Sequence, residues 1–356
     1  MLYFAVFILL LILNFATAYK FRSRLAVYWL VFIFLFLFSA FRFEVGCDWT
    51  GYLFQYDLQH GAGLQAALER REPLWWITIE LTQWAGLPYP WLNVFSSALF
   101  FLGVHILARR QPDPLAFLML LFPILILNMP MSGIRQGAAI GIMCISFTAF
   151  QDGRFIRYVL WTLVAASFHS SAMIFLLLAP LIGGNLSKGR LALAGFLAIP
   201  GGLLLLSGES GELAISRYVE RNIDAFGAIY RTGTLFLSAI FFSIFLRRRW
   251  KKAFGADFTL AGLGALMMFA VFPFSAVSTV IADRVGYYLM PLQAMIFART
   301  PFLAGKLETR LLIVSPYLAL SLMLLVWTTS SNLFTLCYVP YQTWLFGFPS
   351  HNLPFQ

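Results

Sequence analysis

The chain has 356 residues, of which 60% are hydrophobic and only 11% charged, with a mean hydropathy of +0.80. Soluble domains run near 45 to 50% apolar and about 25% charged, so a water-soluble globular fold is excluded and an all-α polytopic membrane protein is expected. The formal charge of +10 does not indicate nucleic acid, because the bases stand singly or in short runs between apolar segments and not as one clustered patch.

In chain order, windows poor in charge predict ten spans, each near the roughly 20 residues a bilayer requires: 2–18, 26–41, 91–108, 114–129, 133–150, 191–207, 231–246, 257–275, 284–298 and 311–328. The first ends in Ala16-Thr17-Ala18, which mimics a signal-peptidase site. It lacks a basic leader and its bases Lys20, Arg22 and Arg24 follow it, so it reads as a retained helix. Two segments decide the topology. Residues 73–86 are short and flanked by Pro73 and Pro88, and 155–182 is interrupted by Phe168-His169-Ser170-Ser171. If the first dips into one leaflet and the second is a broken hairpin returning to its own side, one face collects 17 bases and 4 acids and the other 8 bases and 11 acids. If each crosses once, the bases divide 13 to 12. The positive-inside rule selects the asymmetric solution. The expected architecture is therefore one domain over 1–356 with about ten full spans, a broken helix hairpin and a re-entrant segment. The polar stretches 42–72 and 208–230 read as non-cytoplasmic loops.

This arrangement puts Arg42, Asp48, Glu72, Arg135, His169, Arg231 and Arg284 at the same, non-cytoplasmic helix ends. Broken backbone at membrane depth is tolerated only against protein or a wet cavity. One outward-opening polar site is expected there.

No phosphate loop, GxGxxG, HExxH or Asp-x-Asp pair occurs, so nucleotide, zinc and metal-held sugar-nucleotide chemistry lack their usual ligands. Cys47, Cys144 and Cys337 show no CxxC spacing, and neither a zinc site nor a disulfide framework is expected from them. Pairing of Cys47 with Cys337 is open only if both face an oxidising compartment.

Arg135 follows a backbone broken by Pro130 and Gly133 and opens a helix that also carries Gln136. Free N–H groups, the helix dipole and a guanidinium would converge there on an anion, and a diphosphate suits a bidentate guanidinium. The plainer alternative is an arginine snorkelling to the headgroups. His169 lies in a window free of formal charge. It is either a packing residue bonded to a neighbour or a base for a sugar hydroxyl. Arg42 to Tyr52, with Asp48 and Trp49, has the composition of a sugar-binding loop or of an interfacial aromatic belt. Glu72 before Pro73 suits a helix start. Gly133, Gly137 and Gly141 repeat a GxxxG spacing that admits a close neighbouring helix.

Arg42, Gly46-Cys47-Asp48 with Tyr52, Glu72-Pro73-Leu74, Ile134-Arg135-Gln136 and Phe168-His169-Ser170-Ser171, in this order, resemble the EpsG family of exopolysaccharide and O-antigen polymerases of the Wzy type. Arg284-Val285-Gly286-Tyr287-Tyr288 and Tyr338-Val339-Pro340-Tyr341 extend the resemblance over nearly the whole chain. Cys47 departs from it, since the family more often has a small hydroxylated residue before the aspartate. The resemblance implies a glycosyltransferase of the bacterial inner membrane whose site faces the periplasm. Its reaction moves a glycan from undecaprenyl diphosphate to another lipid-linked repeat unit, without cofactor or metal, and a chain-length regulator is an implied partner. Arg135, His169 and Asp48 are the expected catalytic residues; Arg42, Arg284, Gln136, Glu72 and Tyr52 are the expected substrate-binding residues. A membrane-bound O-acyltransferase and a lipid-linked oligosaccharide flippase are the competing classes. The clustering of ionisable groups at one end argues against both, since a transport path spreads charge through the membrane depth.

Overall fold

The computed structural model describes residues 1–18, 21–183, 187–189, 192, 196, 227–303 and 309–348. The expected span 191–207 except residues 192 and 196, and all of the expected 208–230 loop except its last four residues, lie outside them. Among the described residues the chain is helical, and its one β-type contact is an isolated antiparallel bridge between Arg42 and Thr343.

The elements are α1 Leu2–Ala16, α2 Phe21–Ala40, α3 Trp49–Gln59, α4 Gly63–Glu69, α5 Pro73–Trp84, α6 Pro90–Ala108 and α7 Pro114–Leu121, the last prolonged by a π turn at Phe122–Ile126. There follow α8 Ile134–Gln151, α9 Phe155–Phe168, a 3-10 helix Ser170–Leu181 and α10 Ala228–Phe241, which runs on through a π turn into α11 Arg247–Ala253. The last are α12 Phe258–Phe274, α13 Thr279–Arg299, α14 Thr309–Ser330 and α15 Asn332–Tyr338. Among the described residues five helices are long and apolar enough to cross a membrane: Arg22–Ala40, Pro90–Ala108, Ala228–Ala253, Gly255–Phe274 and Leu312–Ser330. This supports a polytopic helical protein, and the five coincide with the expected spans 26–41, 91–108, 231–246, 257–275 and 311–328. Leu9, Leu30, Ile33, Leu160, Leu237, Leu266 and Leu318 are exposed on helix outer faces, as a protein dissolved in lipid requires.

The most buried helices are α7 and α8, over almost all of Leu115–Leu127 and Ile134–Phe150. Pro123, which has no N–H to give, sits in the π turn that ends α7. α6 and α8 run side by side in the same direction, and a Cβ added at Gly141 would overlap the backbone of Leu99 and Phe100. Gly103 meets Gly141 in the same way, so Gly141 admits the neighbouring helix as expected, whereas Gly133 and Gly137 approach Asn128, Met129 and Pro130 in the chain just before α8.

In both segments that decide the topology the chain turns back to the end of the bundle from which it started. α5 begins at Glu72, and the chain after it returns to the same end, where the Tyr89 hydroxyl donates to the Trp49 carbonyl at 3.0 Å. Residues 155–182 form an antiparallel hairpin, with the Tyr158 hydroxyl donating to the Phe175 carbonyl at 2.5 Å. Its second arm is a 3-10 helix. The 42–72 stretch, expected as loop, contains α3 and α4, because Trp49, Tyr52 and Ala67 find buried positions. The C-terminal segment closes over it: Phe43 N–H donates to the Gln342 carbonyl and Trp344 N–H to the Phe41 carbonyl, each at 2.9 Å.

Candidate functional site

At one end of the bundle a cavity of about 510 Å³ is lined by residues from six stretches of the chain. Asp48, Tyr52, Arg135, Gln136, His169 and Arg284 all border it. Six of the eight residues expected from sequence are thus brought together.

Arg42 is not among them. It is fully buried, donating Nε to the Val45 carbonyl at 2.9 Å and Nη1 to the Ser39 carbonyl at 3.0 Å, with its guanidinium 5.8 Å above the Trp49 ring. Its place is behind the cavity wall, where it ties the turn that presents Asp48. Gly46 completes that turn at φ +105°, and a Cβ there would overlap the Met131 carbonyl, so the close approach of loop 42–48 to loop 128–133 depends on glycine. Asp48 then meets Ser132, whose hydroxyl donates to its Oδ2 at 3.1 Å.

Contrary to the expectation from spacing, Cys47 is paired. It forms a disulfide with Cys337 across 290 residues, and Gly46 N–H donates to the Cys337 carbonyl at 2.7 Å. The spacing gave no sign of it because the contact depends on α15 folding back over the loop. Cys144 is free and buried.

Arg135 is the second residue of α8. Its Nη1 lies 2.9 Å from Glu72 Oε2, and its buried Nε has no hydrogen-bond partner. The helix start contributes less than its sequence suggests. Gly133 N–H is already bonded to Asn128 O at 2.9 Å and Ile134 N–H to Ser132 O at 2.8 Å, so the guanidinium carries the anion affinity. Gln136 donates to the Arg284 carbonyl at 2.7 Å, which joins the starts of α8 and α13.

Glu72 also stands outside the lining, one layer back. It is buried, and its backbone is left-handed (φ 66°, ψ 59°), a conformation that costs a non-glycine residue of order 1–3 kcal/mol. The strained turn lets one carboxylate serve two elements. Oε2 holds Arg135, while Oε1 accepts from the Ser170 N–H at 2.6 Å.

His169 ends α9 in extended backbone (φ −151°) and is buried against the cavity. Its Nδ1 shares a hydrogen bond of 2.6 Å with Ser171 Oγ, and Ser171 in turn meets the Tyr288 hydroxyl at 3.3 Å. A hydrogen bond at one ring nitrogen fixes the ring's orientation and leaves the other, Nε2, for chemistry.

A further group was not singled out as a site from sequence. Arg231 and Asp283 form a bidentate pair at 2.7 and 2.8 Å, with the guanidinium 5.4 Å over Tyr287, and all three line the cavity. Arg231 stands at the expected helix end, which was the available signal; nothing in the sequence paired it with Asp283, 52 residues away.

The EpsG family model matches residues 25–343. The chain belongs to the EpsG family. Membership and the apolar helices support a membrane protein of the polysaccharide-polymerase type. No curated protein and no solved structure matches the chain. In this EpsG member the match spans the Asp48 loop, the Arg135 and His169 segments and α13, so the whole cavity lies inside the family's region. Among the described residues no group of three or more His, Cys, Asp or Glu is gathered as a metal site.

Proposed function

We propose that the chain is a repeat-unit polymerase, transferring a glycan from undecaprenyl diphosphate to the terminal sugar of a second lipid-linked unit. The observation that carries this reading is the convergence of Arg135, Arg231, Arg284, His169 and Asp48 on one cavity at the end of an apolar bundle. Its volume is within the range of small-molecule sites.

In the reaction the bond from the sugar anomeric carbon to the diphosphate oxygen breaks, and an acceptor hydroxyl oxygen bonds to that carbon. The diphosphate departs with the electron pair and the hydroxyl proton goes to a base. Arg135 and Arg284 stabilise the charge that develops on the leaving group. His169, oriented through Ser171, takes the proton at Nε2, with Asp48 as the second candidate. Gln136 and Tyr52 position sugars. Glu72 acts through Arg135, and Arg42 through the loop that carries Asp48. No cofactor is needed, since the donor is already activated, and arginines substitute for a metal at the diphosphate. Activity that persists in excess EDTA supports that part, and loss restored by Mg²⁺ refutes it.

The site faces the periplasm of the inner membrane in this reading. The disulfide at its rim belongs to an oxidising compartment, and the basic loops gather at the opposite end. A chain-length regulator remains a proposed partner.

The test is to delete the gene and complement it with wild type, Arg135→Ala or His169→Ala at equal membrane expression, then resolve lipid-linked and surface glycans on a gel. A wild-type ladder that collapses to single units in the deletion and in both variants is the expected result. Long chains that persist in the deletion but lack an acyl group indicate an acyltransferase, and units trapped on the cytoplasmic leaflet indicate a flippase.

A further inference from the structure

A second cavity, of about 250 Å³, opens between α10, α13 and α14. Its walls include Leu237, Phe241, Ala294, Phe297, Ala319 and Met323. The polar side chains that border it are bonded within the protein: Gln293 donates Nε2 to Ser238 Oγ at 2.8 Å and to the Thr234 carbonyl at 3.3 Å, Ser238 donates to the same carbonyl at 2.7 Å, Thr234 donates to the Arg231 carbonyl at 2.8 Å and Ser315 to the Leu312 carbonyl at 3.5 Å. What remains for a ligand is an apolar slot. Its lining residue Leu237 is more than 60% exposed, as are Leu318 and Leu322 beside the lining positions of α14, so the slot meets a lipid-facing surface.

The slot lies directly below the polar cavity on the same three helices. Arg231, Asp283, Tyr287 and Trp327 line the upper space; Thr234, Gln293 and Met323 line the lower one. At 1.5 Å per residue the steps from Arg231 to Thr234, Tyr287 to Gln293 and Met323 to Trp327 span about 4.5, 9 and 6 Å. A charged chamber thus continues within one or two helical turns into an apolar slot open to the bilayer. That juxtaposition matches an amphiphile with an anionic head and a hydrocarbon chain, and neither a free sugar nor a free phosphate would use the lower half.

We propose that the slot holds the first isoprene units of a polyprenyl diphosphate whose head occupies the arginine-lined cavity. The identity of the head rests on the polymerase reading above; the slot itself rests on the geometry of α10, α13 and α14. Small side chains at Ser315 and Ala319 keep it open, and both positions are exposed, so filling them does not disturb the core.

The test uses the purified full-length protein in nanodiscs with a polyprenyl diphosphate carrying a diazirine on the isoprene units nearest the diphosphate. After irradiation the labelled peptides are mapped by mass spectrometry. Labelling is expected on 293–297 and 315–323, competed by unlabelled polyprenyl diphosphate. Ala319→Phe is expected to lower it about tenfold, the worth of roughly two buried methylene groups, while Leu318→Phe, on the outer rim, leaves it unchanged. Label confined to outer lipid-facing positions overturns the proposal. So does slot labelling that the competitor does not reduce, which marks ordinary bilayer lipid, or Ala319→Phe without effect. The glycan ladder separates the two readings. Competed slot labelling beside a ladder that survives gene deletion keeps the slot and removes the polymerase assignment, whereas a collapsed ladder without slot labelling removes the slot alone.

Discussion

The two ends of the bundle use the same residue types for different purposes. At the basic end Arg24 is joined to Asp113, Arg110 to Asp152 and Arg299 to Asp257, each pair linking two helix ends. Arg299 is almost wholly buried, also donates to Gln111 at 2.8 Å, and has its guanidinium 5.3 and 4.7 Å from the Trp250 and Phe254 rings. At the other end Glu72 with Arg135 and Asp283 with Arg231 are also paired, yet both arginines border one chamber shared with His169 and Arg284. An ion pair is therefore uninformative by itself. What distinguishes the candidate site is that its carboxylates aim cations at a common space and do not use them up in joining helices.

The sharpest way to break this comparison is to delete one arginine at each end. Arg135→Ala is expected to lower polymer formation per folded molecule by about 10²–10³-fold, the effect of removing one donor to developing charge, with a smaller loss of stability than at Arg299 because Glu72 keeps its bond to the Ser170 N–H. Arg299→Ala is expected to behave in reverse. It leaves Asp257 and Gln111 without their buried partner, a loss of about 3–5 kcal/mol, while glycan made per folded molecule stays near wild type. Thermal unfolding in detergent and ladder intensity normalised to folded protein measure the two effects. An Arg299→Ala protein that is stable and inactive would show that the ends do not divide in this way.

Glu72 sharpens the comparison, since it belongs to the site without lining it. Glu72→Ala removes the acceptor for both Arg135 and the Ser170 N–H, an expected cost of about 1.5–3 kcal/mol. Glu72→Gln keeps one acceptor oxygen and turns an NH2 donor toward the other partner, so it is expected to recover only part of the stability and still less of the activity, because Arg135 loses its charge partner. If the residue only braced the fold, Gln would restore both together.

How much of this was legible in the sequence differs by kind of contact. Charge-free windows and the bases between them located α6, α8, α12 and α14 to within a few residues, and the Phe168 to Ser171 break marked a real hairpin turn. The same reasoning gathered Asp48, Arg135, His169 and Arg284, because intramembrane charge has few places to go. Five of the ten expected spans coincide with helices of full length and hydropathy among the described residues, while α1 and α7 are shorter than hydropathy alone suggests and 191–207 lies almost wholly outside those residues. Arg42 went astray because its type and position do not tell whether its partner is a ligand or the Ser39 and Val45 carbonyls. The Cys47–Cys337 bond and the Arg231–Asp283 pair depend on where α15 and α13 dock, which no local spacing encodes.

The smallest expected effect lies at the basic end. Arg110 donates to Asp152 at 2.5 and 2.9 Å, just past the ends of α6 and α8, and these hydrogen bonds hold the Asp152 carboxyl below its ordinary value of 3.8. Both side chains are about a third exposed, so solvent screens the pair and its worth is about 0.2–1 kcal/mol. Because the folded value is the lower one, the stabilisation is fully present above the unfolded value and is lost as pH falls through the folded value. Asp152→Asn should therefore lower the thermal midpoint slightly and constantly between pH 6 and 8, with the gap to wild type closing below about pH 4 and also closing in high salt. Activity per folded molecule should not change. A gap that widened on acidification would mean that Asp152 is stabilised in its protonated form, and this pair would then no longer serve as the closed, solvent-screened counterpart of the Arg135 site.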